Sequence, residues 1–126
     1  MLTYETQLER DPNWAMLERE LYSQQQGAVH TSLRRLVERL ENRAIDYAVA
    51  GDLCMFFHGL RRFTDVVEVL VTPEGLERIH GELVGDGYVR PSMTEDSIRD
   101  VANGVCIRFL VSGQDPCDNN YNLHHN

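Results

Sequence analysis

The sequence predicts one α/β domain, an α+β sandwich in which helices cover a small mixed sheet and two helices lead the chain. Three observations predict it. The length, 126 residues, suits one domain with one modest core. Apolar residues between Trp14 and Leu40 recur at helical spacing. From Tyr47 onward, short dense apolar runs alternate with helical stretches in the order strand, helix, strand, helix, strand.

Asp11-Pro12 is a helix start, a capping oxygen followed by a proline at the first helical position. Trp14, Leu17, Leu21 and Tyr22 follow, and Gly27 is expected to close this helix. A second helix is expected from about Thr31 to Arg43. There Leu33, Leu36, Val37 and Leu40 fall at i, i+3, i+4 and i+7, one apolar stripe. Arg34, Arg35, Glu38, Arg39 and Glu41 take the wet face, as Arg–Glu pairs rather than as a binding patch.

Tyr47-Ala48-Val49-Ala50 reads as a buried strand ending at Gly51. Asp52 can cap the helix that follows, Leu53 to about His58, closed by Gly59. Val66 to Val71 is a second strand, apolar enough for burial on both faces. Pro73-Glu74 opens a helix with Leu76, Ile79, His80 and Leu83 on one side, ending near Gly85. Tyr88-Val89 is a short edge strand, and Val105 to Val111, after the Asn103-Gly104 turn, is the third clear strand. The domain thus covers 1–113, with leading helices in 1–43 and the core in 45–113. Residues 114–126 form a polar tail, and the turn-rich stretch from Ser112 on is expected to fray.

Composition narrows the function classes. Lys and Arg number 12 against 20 Asp and Glu, a formal charge of −8, so no basic stripe for DNA is expected. Apolar residues make up 42%, too many for a disordered chain, and no run approaches the roughly 18 residues of a membrane span. The start MLTYETQLERD has no basic n-region, so a cytoplasmic protein is expected. Cys54, Cys106 and Cys117 are odd in number and widely spaced, which fits reduced thiols rather than disulfides or a zinc site. His124-His125 is a poor metal site, and no metal is expected there.

Isolated nucleophile and base candidates are weak. Cys54 and His58 lie four apart on one helix face, where a nucleophile–base pair is conceivable. The run Leu53-Cys54-Met55-Phe56-Phe57 favours core packing instead. His80 reads as a partly buried packing residue, and Ser112-Gly113 has no triad context.

Two phrases, YAVAGDLCMFFHGLRRFTDVVEVLVTPEGL and GVCIRFLVSG, resemble the nucleotidyltransferase superfamily, with its polymerase-beta-like fold. The likeness is greatest to small bacterial members of the abortive-infection and toxin–antitoxin type. It covers roughly half the chain, Tyr47 to Gly113. In that family the first strand ends in a glycine pair that opens a helix and lets a triphosphate approach its amides. The next strand carries two carboxylates one residue apart, which hold Mg²⁺ on one face. A third carboxylate on a neighbouring strand helps activate the acceptor hydroxyl.

This chain departs from the pattern at each of those places. The glycine pair reads Gly51-Asp52, the paired carboxylates fall on Val66 and Glu68, and the third falls on Arg108. Asp52 repels phosphate, Val66 ligates nothing, and Arg108 competes with a cation. If Glu68 and Arg108 share a face of adjacent strands, they are expected to pair at the former metal position. The resemblance therefore implies a domain that has lost metal-dependent nucleotidyl transfer. It would bind a protein partner, itself as a homodimer, or a small ligand, with no cofactor.

Two other readings stay open. A strand slip before Val66 could aim Asp65 inward, giving Asp65, Glu68 and Asp52 as the acidic cluster of a divergent transferase using Mg²⁺ and a nucleoside triphosphate. Arg61 and Arg62 could bind phosphate there. Alternatively the chain is a small-ligand or structural domain in which the Cys54–Phe57 helix lines a pocket.

Overall fold

The computed structural model describes residues 2–113; the expected fraying beyond Gly113 and the pair His124-His125 lie outside them. Three helices lead the chain, not two: α1 (Tyr4–Arg10), α2 (Pro12–Ser23) and α3 (Gly27–Asn42). Thr3 caps α1 by accepting the Thr6 amide at 3.2 Å. Asp11 ends α1 and caps α2, accepting the Trp14 amide at 3.1 Å, with Pro12 at the first position as expected.

The third helix starts four residues before Thr31 because of a side chain elsewhere. Glu18, buried in α2, accepts the Ala28 amide at 3.0 Å and the Tyr4 hydroxyl at 2.8 Å through the same oxygen. One carboxylate thereby satisfies the start of α3 and ties down α1. Gly27 does not close α2. It opens α3 with φ +90, after a left-handed Gln25 at φ 62 has turned the chain.

The remaining elements are β1 (Tyr47–Ala50), α4 (Gly51–Phe57), β2 (Val66–Val71), α5 (Pro73–Glu82), β3 (Tyr88–Val89), β4 (Ile98–Asp100) and β5 (Cys106–Val111). Thr72 caps α5 by accepting the Gly75 amide at 3.0 Å, and the helix stops at Glu82 rather than near Gly85. Strand β4 is an addition to the expected set. Its hairpin with β5 turns through Asn103-Gly104, with the Asp100 amide donating to the Val105 carbonyl at 3.0 Å.

The sheet order is β1-β2-β5-β4-β3, so Tyr88-Val89 does form an edge. β2 and β5 run parallel and the other pairs antiparallel, a mixed sheet. Period 2 divides it into two faces. Val67, Val69 and Val71 of β2 and Ile107, Phe109 and Val111 of β5 join one core cluster with side chains from all five helices. Val66, Glu68 and Leu70 share the opposite face with Cys106, Arg108 and Leu110. Helices and sheet thus make the α+β sandwich. Among the described residues, no helix is long and apolar enough to cross a membrane.

A buried polar knot fastens α3 to the β4–β5 hairpin. Ser32 donates to Asp100 at 2.8 Å, Arg35 pairs with the same carboxylate, and the Ala102 amide donates to its other oxygen at 2.9 Å. Asp100 is 1% exposed, and these partners are what allow a charge there.

Candidate functional site

The resemblance directs attention to the end of β1, the start of α4 and the two parallel strands. Glu68 and Arg108 are register partners on β2 and β5, and Arg108 Nη1 donates to Glu68 Oε2 at 3.4 Å. The expected ion pair therefore forms. It joins an exposed guanidinium to a carboxylate that is more shielded.

The shielding comes from β1. Ala50 pairs with Glu68, so the next residue, Gly51, lies beside the Glu68 side chain. Gly51 has φ +64, and a Cβ placed there would stand 2.1 Å from Glu68 Oε1. Glycine is needed for the left-handed turn and for the closeness of that carboxylate. The chain's own negative group thus lies against the residue at which the family's phosphate would approach.

Asp52 does not cap α4. The N-cap position is Ala50, with no side-chain bond, because Gly51 already belongs to the helix. Asp52 sits in the first turn, where its charge suits the helix dipole, and Arg62 lies 3.9 Å away. Arg61 is engaged elsewhere: it donates to the Ser23 carbonyl at 2.7 Å and stacks 4.8 Å above the Phe56 ring. Of the two arginines that could bind phosphate, Arg62 is the one that pairs with Asp52 at the α4 start.

Asp65 stays outside the sheet. β2 pairs with β5 in unbroken register from Val66↔Cys106 onward, with no bulge to turn Asp65 inward. Asp65 is exposed at a bend, beside Thr64, whose hydroxyl accepts the Val66 amide at 3.3 Å. Among the described residues, no three His, Cys, Asp or Glu side chains come together closely enough to hold a metal ion. The present arrangement of Asp52, Asp65 and Glu68 does not fit a Mg²⁺ site, and Val66 contributes no oxygen.

Asp52 and Asp65 instead line an open cleft of about 520 Å³, together with Glu5, Glu9, Arg19 and Phe63. The wall from α1 had no counterpart in the sequence reading. Its signal was Thr3 as a cap, with Tyr4 and Leu8 one turn apart. Glu5 is anchored by Arg99 of β4, whose two terminal nitrogens donate to its two oxygens at 2.9 and 2.7 Å. Those bonds hold the Glu5 carboxyl below the ordinary carboxylate range, against a smaller opposing effect of burial. Arg19 lies 4.9 Å over the Phe63 ring.

The other candidates do not line this cleft. Cys54 is half-buried and His58 is exposed. In α4, Leu53 and Phe56 enter the core while Met55 and Phe57 stay exposed, and α4 contributes only Asp52 to the cleft. His80 is half-buried and bonds the Asp96 carbonyl at 2.8 Å through Nε2. Burial raises the Cys106 thiol, with Arg99 and Arg108 opposing, which disfavours the thiolate. The chain matches no protein-family model, no curated protein and no solved structure.

Proposed function

We propose that this chain is a nucleotidyltransferase-like domain that has lost metal-dependent nucleotidyl transfer and serves as a binding or interaction module in the cytoplasm. Its ligand is a protein partner or a second copy of itself; nucleotide and Mg²⁺ belong to the competing reading of a divergent transferase. One observation carries the proposal. Glu68, the single carboxylate left on β2 at the motif positions, is bonded to Arg108 and turned against Gly51. A cation there would face a guanidinium, and a phosphate would face a carboxylate.

The test is melting temperature during titration with Mg²⁺-ATP and Mg²⁺-GTP. No saturable rise is expected, whereas a rise that needs both metal and nucleotide overturns the proposal. Sedimentation over a range of protein concentrations separates self-association from the need for a different partner.

A further inference from the structure

His30 stands in the first turns of α3, 1% exposed, in a nest of aromatic rings. Tyr22 of α2 lies 4.7 Å from it between ring centroids, Phe56 of α4 also 4.7 Å, and Phe57 of α4 6.0 Å. Phe56 and Phe57 pack edge to face, and Tyr22 packs the same way on Phe56 and Phe63. His30 Nε2 has no hydrogen-bond partner, and neither has the Tyr22 hydroxyl. The imidazole is therefore the polar centre of the contact among α2, α3 and α4.

The charges around it are of one sign. Burial is the main cause that holds the His30 imidazole below its ordinary value, and Arg34, one turn further along α3, and Arg61, in the segment after α4, add to it. Arg61 is fixed in place by the Ser23 carbonyl and the Phe56 ring. From α2 the ring meets Tyr22, whose main chain hydrogen-bonds to it and pulls the other way. Burial raises the Tyr22 hydroxyl, and Asp52, in the first turn of α4, adds to that. The carboxylate of Glu18 is taken up by Tyr4 and Ala28. A proton on Nε2 would gain cation–π attraction from the rings. It would lack an acceptor and would face two guanidinium groups.

We propose that His30 is an acid-operated latch on α4. Neutral, it packs Phe56 against α2 and α3, with the half-exposed Phe57 at its rim. When a proton from solvent adds to Nε2, the ring leaves the nest and α4 loosens from the helical layer. α4 begins with Gly51 and Asp52, so the proton at His30 acts on the wall of the cleft without touching it. The latch is independent of whether the cleft binds a nucleotide or a protein.

The test follows histidine resonances and amide hydrogen exchange of the full chain from about pH 8 to about pH 5, on either side of the ordinary histidine value. The expected result is that the His30 ring stays neutral until α4 opens. Amide protection over 51–57 then falls at least tenfold while α5 keeps its protection. His30→Phe fills the nest without a titrating group and makes α4 protection independent of pH. Arg34→Gln, a change on the exposed side of α3, keeps the fold, removes one of the two charges that oppose a proton in the closed nest, and moves the opening midpoint to lower pH. If His30 titrates at its ordinary value with α4 unchanged, or if Arg34→Gln leaves the midpoint where it was, the proposal is overturned.

Discussion

Gly51, the first residue of α4, and Glu68 of β2 are in contact, so close that a methyl group on Gly51 would overlap the Glu68 carboxylate. Glycine at a strand-to-helix junction is often read as room for a ligand. Here the room is filled by a side chain of the same protein.

Gly51→Ala therefore carries two penalties. The left-handed backbone costs about 1–2 kcal/mol for a residue with a Cβ, and Glu68 must move. A loss of about 2 kcal/mol or more is expected in urea unfolding. Adding Glu68→Ala should recover the steric part and leave the backbone part. Full tolerance of Gly51→Ala would show that the contact does not hold in solution.

The Glu68–Arg108 pair should contribute little to stability. Its single contact is 3.4 Å long and the arginine side chain is 56% exposed. A double-mutant cycle with Glu68→Gln and Arg108→Gln should give a coupling of about 1 kcal/mol or less. A larger coupling would make the pair a structural lock.

Glu18 is a different matter. It is 6% exposed and serves both the Tyr4 hydroxyl and the Ala28 amide. Glu18→Ala leaves both donors unpartnered, a cost of about 1–3 kcal/mol for each buried group. The loss should appear first as amide exchange in α1 and the first turn of α3. Unchanged exchange there would show that other groups cap α3.

The acid limb of stability should depend on Glu5. Arg99 depresses its carboxyl, so the unfolded chain binds a proton at higher pH than the folded one. The stability from this pair is present above the ordinary carboxyl value of 4.5 and is lost as pH falls through the folded value. Glu5→Gln removes that component, and the decline of melting temperature below about pH 4.5 should become shallower. An identical acid limb in the variant would contradict the role of Arg99.

Much of the sheet was legible from short-range pattern. β1 and β2 are dense β-branched or small apolar runs, and Glu68 and Arg108 meet because both strands keep period 2 in register. Most of the misses share one physical origin: they depend on partners distant in sequence. Helix α1 has seven residues, and its hold on the molecule includes Arg99, 94 positions away from Glu5. β4 offers one apolar residue, Ile98, and exists because β5 pairs with it. The start of α3 is set by Glu18, and Asp52 lost its capping role because Gly51 entered the helix first. The cleft inherited these misses, since one of its walls is α1.

The most direct measurement is an amide chemical-shift titration with Mg²⁺-ATP, read at Gly51, at 64–68 and at 106–108. If the motif positions no longer receive a nucleotide, those resonances stay where they are at every concentration. Saturable shifts confined to these residues, and dependent on the metal, would mean that the cation and its triphosphate still bind there and that the loss of transfer activity is wrongly inferred.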